Sequence, residues 1–514
     1  MKDWRWLGWL RATQVHAVLA VALVLWAVLE CFGPVRSQRI ASATFDLMQR
    51  HRLWASAPDP RLLIVDVDER SLADLSGEFG RWPWSRDTLA TVLQQAQTEG
   101  AVAVVFDILF SDPDRLRPGG DSALDAAVRA GALSFFEAVR LPAKNDALSE
   151  LTLDRVPGLG VPPAGASASS PALAAPKIAV ILPFMQAMLD TGRIGTNTVQ
   201  LEADGKLRRF AWVEPLQGWS VVSIPMAVAR SLGATVEASG VPRLVVWRKQ
   251  ADAYPRVSFS RVLACAEQQT RAKDCVSLAG RIVIVGVTAS SLHDIMSTPL
   301  EGNHPGVDIL ASLIDNALHQ RWFGEIGAEL RFALSLAALA VAWRAAHRRA
   351  ASATQLALIV LPIGLVAVGF ASLHTEWLYL DLMLPAGIAL TFLSLVKLFD
   401  TVRRQVFGLQ SRPEAGLHAL ATGSAARCAE QLEREVFDLA GRHGLPVSGG
   451  VNTAGVWGDG ASGWVLWNLD EATATAFGAA LRSAIPGAWA VLFVVSADPQ
   501  RDLHAALATA TTHT

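Results

Sequence analysis

Three aspartates stand where two short apolar segments end. Asp66 and Asp68 lie at the end of the segment Leu62–Val67, and Asp107 lies near the end of the segment 101–110. If both segments are strands, Asp66 and Asp68 point to the same side of a sheet and Asp107 lies near them on the partner strand. Ligands of open α/β sheets bind outside the carboxyl ends of the strands, so the three acids predict a ligand or cation site. The alternative is that they cap helices and tie loops through salt bridges.

A cluster of carboxylates needs positive charge nearby. The acids repel one another, and their pKa values rise unless a cation or a guanidinium neutralises them. The sequence offers three arginines soon after the first segment, at Arg70, Arg81 and Arg86. Arg86 therefore joins the aspartates among the predicted ligand-binding residues.

An aromatic corner, Trp82-Pro83-Trp84, precedes Arg86 in the sequence. Pro83 restricts the backbone between two indole rings. Ser85 is a residue type that favours the N-cap of the helix predicted over 86–97. Trp84 is either a stacking platform for a ligand or part of a structural corner that packs on the sheet.

A second polar loop begins at His293 and follows the apolar run 281–288. If that run is a strand, the loop also lies at a carboxyl end, and His293 and Asp294 are expected to face the same cleft as Asp66. A histidine with carboxylates binds a divalent metal or responds to pH. The spacing matches no standard metal motif, so neither a metal nor another cofactor is predicted.

The chain has four cysteines, and only Cys265 and Cys275 are close to each other in sequence. None belongs to a CxxC pair or to a zinc-type spacing. The two form a disulfide if this part of the chain lies outside the cytoplasm, where disulfides persist. Two unrelated free thiols are the alternative.

The elements that position these residues follow an α/β pattern. Helical spacing separates Leu62–Val67 from 101–110, which predicts two parallel strands joined by a crossover helix. The β-branched run 281–288 predicts a central buried strand, and 305–320 predicts a helix with one apolar face. Other predicted elements are helices over 122–130 (capped by Asp121 or Ser122) and 223–232, strands over 134–139, 178–181 and 243–247, a surface loop over 156–176, a turn over 191–198 and a hairpin turn at Asp204-Gly205.

The composition indicates a membrane protein. Of the 514 residues, 51% are hydrophobic and only 18% are charged, and the mean hydropathy is positive. The formal net charge of −2 argues against a nucleic-acid partner, because such proteins usually carry a basic surface.

Four apolar runs predict four transmembrane helices. Lysines and arginines lie before the first run, between the second and third, and after the fourth, which places these three segments in the cytoplasm. The predicted order is a cytoplasmic amino terminus (1–14), a membrane helix (15–33), a periplasmic α/β domain (34–327), three membrane helices (328–346, 355–373 and 377–399) and a cytoplasmic carboxy-terminal domain (400–514).

This topology predicts a multi-pass protein of the bacterial inner membrane. The tripeptide Ala41-Ser42-Ala43 resembles a signal-peptidase site, but it lies past Arg36 and Arg39, so an uncleaved anchor is expected.

The carboxy-terminal segment predicts a small α+β domain. Its predicted elements are helices over 425–442 and 471–484, a hairpin over 456–469 and a strand over 489–495. The segment is too short for a kinase and lacks a kinase or GGDEF block. The rest of the chain has no GxSxG, HExxH or Walker motif. No signature of a cyclase, kinase or hydrolase is found, and the tail is expected to be non-enzymatic.

Several of these segments together resemble the CHASE2 family of extracytoplasmic sensory domains. The resembling segments, which lie in family order, are Phe45-Asp46-Leu47, 64–72, 82–86, 105–110, 204–209, 280–286, Asp294 through Thr298-Pro299, and Pro305-Gly306-Val307. The resemblance implies one membrane helix before the sensory domain and three after it. It also implies an enzymatic cytoplasmic output, but this tail lacks the sequence signatures of such an enzyme. The resemblance leaves the ligand undefined.

The sequence therefore predicts an inner-membrane sensor that binds an extracytoplasmic small molecule or protein. Its partners are the lipid bilayer, that ligand, a separate cytoplasmic protein that contacts the tail, and a second copy in a homodimer. Two alternatives stay open: an envelope scaffold that binds no small ligand, and an extracytoplasmic enzyme that uses Asp66, Asp68, Asp107 and His293.

Reporter fusions test the predicted topology. Alkaline phosphatase fused after Gln355 or after Thr401 is expected to be inactive, because both positions face the cytoplasm in the four-helix arrangement. A fusion within the predicted surface loop 156–176 is the positive control. Activity at either of the first two positions contradicts the arrangement.

Overall fold

The computed structural model describes most of the chain. The described residues are 12–33, 38–131, 133–163, 175–234, 240–248, 250, 252–267, 275–292, 294–347, 351–407, 415–424, 429–443 and 462–510. They form two compact units, each described separately below. One unit comprises Met1–Ala41, Ile326–Gly369 and Asp381–Thr514, and the other comprises Ser42–Glu325 and Phe370–Leu380.

The described elements alternate between helices and strands over most of the chain. The helices are α1 (Ala12–Phe32), α2 (Gln38–Arg50), α3 (Glu69–Phe79), α4 (Arg86–Glu99), α5 (Pro118–Arg129), α6 (Gln186–Asp190), α7 (Ile224–Ser231), α8 (Phe259–Ala266), α9 (Gly306–Leu318), α10 (Ala328–Ala346), α11 (Ala351–Ser372), α12 (Met383–Phe407), α13 (Ala429–Arg442), α14 (Glu471–Ala484) and α15 (Pro499–Ala510).

Most strands are short. They are β1 (Leu62–Val67), β2 (Ala103–Phe106), β3 (Ser134–Arg140), β4 (Gly160–Val161), β5 (Val180–Ile181), β6 (Ile194–Thr196), β7 (Arg209–Phe210), β8 (Val213–Leu216), β9 (Trp219–Val222), β10 (Arg243–Val245), β11 (Arg256–Ser258), β12 (Ile282–Val287), β13 (Ile295–Met296), β14 (His304–Pro305), β15 (Trp322–Glu325), β16 (Leu378–Tyr379), β17 (His418–Ser424), β18 (Ser462–Leu469) and β19 (Ala488–Val494).

A seven-stranded sheet forms the centre of the Ser42–Glu325 unit. The strands follow the order β11-β1-β12-β2-β3-β5, and β6 also pairs with β3. The pairs from β11 to β3 and the β3–β6 pair are parallel, whereas β5 is antiparallel to β3. The predicted α/β class is confirmed for this unit.

Two predictions about this unit need correction. β1 and β2 are not neighbours, because the strongly apolar β12 takes the central position between them. The segment 191–198 is not only a turn, since it contains β6.

The side chains of the central strands alternate between two apolar cores. Leu62 and Ile64 of β1 pack on one face with Ile282 and Ile284 of β12, against α7 and α9. The intervening residues, such as Val65 and Val283, pack on the other face against α4, α5 and α8. This period-two alternation gives a sheet that is covered by helices on both faces.

Helix α9 lies close against β12 because Gly286 has no side chain. A Cβ atom built on Gly286 would lie 2.6 Å from Cγ2 of Val307 and 3.3 Å from Cβ of Asp107. Every residue from Val307 to Ala317 is buried. The absence of one methyl group therefore sets how closely this helix packs on the sheet.

Helix α2 is fixed to the same unit by a buried ion-pair cluster. The Asp46 carboxylate accepts hydrogen bonds from Arg208 Nε at 2.7 Å and from Lys206 Nζ at 2.7 Å. Arg208 is 2% exposed and also contacts Glu202 and Asp204. Two of the segments that resemble the family, at Asp46 and at 204–209, thus contact each other.

Among the residues that the structure describes, two helices are long and apolar enough to cross a membrane, Gln14–Phe32 and Thr354–Thr375. Two of the four predicted membrane helices therefore meet this criterion, whereas α10 and α12 do not. α10 carries Glu329, Arg331 and Arg344 within its 19 residues. The apolar part of α12 is the shorter helix Met383–Phe399.

The predicted fourth span also begins too early. Residues 377–382 precede α12 and contain β16, so they are not helical. β16 pairs in parallel with β15, and both strands belong to the unit that contains the large sheet.

The carboxy-terminal segment contains an antiparallel sheet of three strands in the order β18-β17-β19. Helices α13 and α14 supply apolar residues to one core on this sheet. Leu503 of α15 packs in a second core with Trp467 and Val495. The predicted small α+β domain agrees with these elements, although β18 pairs with β17 in place of the predicted local hairpin.

Several predicted features lie wholly or partly outside the described residues. These are most of the amino-terminal segment, most of the surface loop, part of the second cytoplasmic basic segment, the start of the helix over 425–442 and the first half of the hairpin over 456–469.

Two predicted helix caps differ from the structure. Ser85 is the N-cap of α4, but its side chain makes no capping hydrogen bond. α5 begins at Pro118, so Asp121 lies in its first turn. The Asp121 carboxylate instead accepts a hydrogen bond from the Asp114 N–H at 2.8 Å and pairs with Arg86. The acid therefore ties the loop before the helix to α4.

Replacing Gly286 with alanine tests the packing of α9. We expect Gly286→Ala to lower the free energy of unfolding by about 1–3 kcal/mol, since the added methyl group overlaps Val307. Thermal unfolding of the detergent-solubilised full-length protein measures the effect. Gly77→Ala is the matched control: Gly77 lies on the exposed side of α3 with nothing within 4 Å, and alanine is expected to leave the protein as stable or slightly more stable. Equal Tm values for wild type and Gly286→Ala contradict the role of this contact.

Candidate functional site

Asp66 lies on the sheet face that α9 covers and is paired there. Arg256 of β11 contacts Asp66 Oδ2 at 3.3 Å. The Thr288 hydroxyl donates to the same carboxylate at 2.7 Å. Burial raises the pKa of Asp66 despite these two partners. The carboxylate thus belongs to a mostly buried polar group rather than to an open strand end.

Arg256 joins Asp66 to helix α9. Its Nη2 atom donates to Asp308 Oδ1 at 2.7 Å. Asp308 stands in the first turn of α9 and is only 1% exposed. Burial raises the pKa of Asp308 to about 6 although Arg256 opposes the shift. One guanidinium therefore serves two buried carboxylates from two different elements.

A cleft opens beside this pair. Its volume is about 610 Å³, which lies within the usual range for small-molecule sites. Arg256 and Asp308 both line the cleft. The other lining residues are Arg50, Gln250, Asp252, Leu300, Glu301, Asn303 and Pro305.

Asp68 has a structural role. Its carboxylate accepts hydrogen bonds from the Ser71 N–H at 2.7 Å and the Ser71 hydroxyl at 2.6 Å, so it caps α3. Ser258 of β11 donates to the other oxygen at 2.5 Å. Burial alone would raise the pKa of Asp68, but these hydrogen bonds outweigh it and lower the pKa. The capping alternative fits this residue.

Asp107 belongs to a second acidic group on the same face. Asn197 bridges two carboxylates, because its Nδ2 atom donates to Asp107 Oδ1 at 2.9 Å and to Glu137 Oε2 at 3.0 Å. Asp107 Oδ2 is buried and accepts no hydrogen bond from the described residues. Asp294 lies against the start of α9 at Gly306 and contributes charge to the same group.

The three acids of this group hold protons more tightly than usual. Burial, and then the charges of Glu137 and Asp294, raise the pKa of Asp107 well above its ordinary value. Burial raises the pKa of Glu137 to about 7, against the hydrogen bond from Asn197. Burial also raises the pKa of Asp294. Uncompensated carboxylates in a poorly hydrated place favour the neutral form.

The predicted site residues thus separate into several groups. The structure brings Asp66 together with Arg256 and Asp308, and it brings Asp107 together with Asp294. It places β12 between the two groups, with Gly286 paired to Asp66 in the sheet register. His293 lies outside the described residues, so its predicted role stays a prediction. Among the described residues, no group of three His, Cys, Asp or Glu side chains is placed to hold a metal ion.

Trp84 and Arg86 lie on the opposite side of the sheet from the cleft. Trp84 is 3% exposed, packs against Phe259 with ring centroids 5.4 Å apart and donates to the Gly80 carbonyl. Arg86 pairs with Asp121 and lies over the Phe184 ring at 5.0 Å. Neither lines the cleft, and Trp84 fits the structural-corner alternative.

The structure joins Cys265 and Cys275 through a disulfide between the end of α8 and the segment before β12. This arrangement corresponds to the first of the two interpretations of the pair. Neither cysteine lines the cleft.

A second polar group gathers at the far end of α9. Asp315 pairs with Arg248 at 2.9 Å and accepts a hydrogen bond from the Tyr254 hydroxyl at 3.0 Å. Asn316 donates to the Val246 carbonyl at 3.0 Å. Arg248 also donates to the Ser56 carbonyl at 3.3 Å. Buried charges at this end of the helix are therefore paired.

The same group reaches the connection between α11 and α12. Glu376 accepts a hydrogen bond from Arg52 Nη2 at 2.6 Å. The Ser56 N–H and hydroxyl donate to the same carboxylate at 2.8 and 2.5 Å. Burial would raise the pKa of Glu376, but Ser56 and Arg52 outweigh it and lower the pKa. Through Ser56 and Arg248, α9 is thus linked to a residue that lies between two long apolar helices.

Several residues of these groups were not predicted from the sequence: Glu137, Asn197, Arg248, Arg256, Asp308, Asp315 and Glu376. One signal was present, because Asp308 and Asp315, seven positions apart, interrupt the apolar segment that predicts the helix over 305–320. Buried acids on such a helix require cationic partners. The identities of those partners depend on strand order, which the local sequence does not contain.

Comparisons with known proteins agree with the family resemblance. The family model described as the CHASE2 domain matches residues 17–343, which is more than half of the chain. No curated protein and no solved structure matches the chain.

The buried acids predict a dependence of stability on pH. The pKa of Glu137 is about 7 in the folded protein and higher than in the unfolded chain, so the folded state retains a proton between about pH 4.5 and 7. Its contribution to stability is therefore complete below that window and is lost as the pH rises through 7. Thermal unfolding of the full-length protein between pH 5 and 8 measures this trend.

Glu137→Gln is expected to reduce that loss by an amount on the order of 1–3 kcal/mol, because glutamine stays neutral and still accepts from Asn197. Glu78→Gln, at an exposed position of α3, is the matched control and should retain the wild-type slope. A Glu137→Gln protein whose stability falls with pH as steeply as the wild type contradicts the assignment.

Proposed function

Because the chain belongs to the CHASE2 family of extracytoplasmic sensory domains, we propose that it is a ligand sensor of the bacterial inner membrane. In this proposal the ligand binds in the cleft beside Arg256 and Asp308. Its arrival shifts α9, and the shift reaches the connection between α11 and α12. The tail, which lacks an enzymatic signature, contacts a separate cytoplasmic protein, and the sensor acts as a homodimer.

The observation that carries the proposal is the position of α9 between two polar groups. Its first turn presents Asp308 to the cleft, and its last turns hold Asp315 and Asn316 against Arg248. A buried helix that packs at native density moves as a unit, so a displacement at one end is felt at the other. The hydrogen bonds of Glu376 to Arg52 and Ser56 then pass this displacement to the connection between the membrane helices.

A four-helix topology remains part of the proposal. Two helices satisfy the length and composition of a membrane span, and α10 and α12 are long helices beside them in the chain. The basic residues that follow α10, and those near the carboxyl end of α12, favour a cytoplasmic location for those ends. The sensory domain would then lie in the periplasm, where a disulfide such as Cys265–Cys275 persists.

The scaffold alternative retains one supporting observation. Asp66 and Asp68, two of the predicted ligand residues, are occupied by internal partners. A scaffold would have these contacts without any change in α9 on exposure to small molecules.

Hydrogen–deuterium exchange tests the proposal on the full-length protein in lipid nanodiscs. A compound that protects the cleft residues 300–308 is expected to change exchange in 370–380 as well. In Glu376→Ala, protection of 300–308 should persist while the change in 370–380 is lost. The reason is that Ser56 and Arg52 no longer link α9 to the connection between α11 and α12.

Glu78→Ala is the control variant and should behave as the wild type. Protection of the cleft without any change in 370–380 of the wild-type protein would contradict signal transmission by this path. If no compound of a broad small-molecule panel protects the cleft, the scaffold alternative is favoured.

A further inference from the structure

We propose that the cleft beside Arg256 and Asp308 binds a small zwitterion, a molecule with both an ammonium group and a carboxylate, such as an amino acid or a short peptide. This inference rests on the proposed function, because it names the ligand class of the same cleft. The observations that carry it are the charges that face the cleft and the absence, within the described residues, of ion pairs to Arg50, Asp252 and Glu301.

One cation of the cleft is mostly available. Arg50, at the end of α2, donates through Nε to the Pro299 carbonyl at 2.7 Å. Within the described part of the chain, its two terminal nitrogens take part in no ion pair. Arg256, in contrast, is committed to Asp66 and Asp308. Arg50 is therefore the guanidinium that can receive a ligand carboxylate, in the bidentate geometry that arginine favours.

Two anions of the cleft are available as well. Asp252 and Glu301 line it and form no ion pair with any described residue. Asp308 is 1% exposed, lines the same cleft and accepts from Arg256 through one oxygen only. These carboxylates form the acidic side, which suits an ammonium group.

The opposite charges face one cleft but do not pair with each other. No ion pair joins Arg50 to Asp252 or to Glu301 in the structure, although all three line the same space. A ligand with only one charge would cover the opposite charge of the protein and leave it poorly hydrated, which costs free energy. A zwitterion satisfies both sides at once.

The remaining lining residues fit a molecule of this kind. Gln250 and Asn303 supply amide donors and acceptors, and Leu300 and Pro305 supply a small apolar surface. A volume of about 610 Å³ accommodates a free amino acid with ordered water, or a dipeptide.

The test is isothermal titration of the full-length protein in nanodiscs with three kinds of probe. The zwitterions are a set of free L-amino acids and dipeptides, the cation is putrescine, and the anion is succinate. We expect at least one zwitterion to bind, and putrescine and succinate to bind at least about tenfold more weakly, since each loses one charged contact.

Three variants locate the binding. Arg50→Gln, Asp252→Asn and Glu301→Gln are each expected to weaken zwitterion binding by about tenfold or more, because each removes a charge that contacts the ligand. Arg70→Gln and Asp125→Asn are the matched controls. Both residues belong to exposed ion pairs on α3 and α5, and both variants should bind as the wild type does.

The inference is overturned if putrescine or succinate binds as tightly as the best zwitterion, if no zwitterion of the set binds, or if the three variants bind like the controls. The exchange measurement on 370–380 separates this outcome from the proposed function. If putrescine or succinate, which carry charges of one sign only, binds in the cleft as tightly as the best zwitterion and changes exchange in 370–380, the sensor proposal stands and the ligand class is refuted. A zwitterion that binds in the cleft without that change supports the ligand class and refutes the sensor.

Discussion

Much of the sensory domain depends on one buried helix with paired charges at both ends. α9 has no exposed residue between Val307 and Ala317, yet it carries Asp308 and Asp315 in that interval. Each of these acids needs a cation in the protein interior, and Arg256 and Arg248 supply them from β11 and from the segment after β10. The position of the helix is thus fixed both by apolar packing on the sheet and by two ionic contacts.

The two faces of the sheet have different chemistry. The face under α4, α5 and α8 is apolar, with Trp84, Phe106 and Phe136 in one core. The face under α7 and α9 contains an apolar core as well, but its strand ends carry Asp66 and Asp107 with their partners. The residues of the proposed cleft and the apolar core under α4, α5 and α8 thus lie on opposite sides of a single sheet, so changes on one side need not disturb the other.

The sequence predicted the individual helices and strands better than it predicted which strands and side chains lie next to each other. The apolar runs that became β1 and β12, and the amphipathic run that became α9, were identifiable because hydrophobic periodicity is a local property. The insertion of β12 between β1 and β2 is a long-range pairing, and the expectation that Asp107 would lie beside Asp66 failed for that reason. Asp66 and Asp294 were predicted to share a cleft, whereas Asp294 acts through its charge on Asp107 and Glu137 in a separate group. Partners such as Arg256 come from distant segments that no local pattern identifies.

The pairing of β15 with β16 has a consequence for how the sensory domain can be isolated. β16 comes from the connection between α11 and α12, more than fifty residues beyond the end of β15 in the chain. A protein cut after Glu325 would leave β15 with a free edge and Arg52 without its acid, and bare strand edges promote association between copies. A soluble form that keeps the native surface would need residues 370–380 joined to it by a short linker. Self-association of a simple truncation would then reflect the missing strand rather than the oligomeric state of the intact protein.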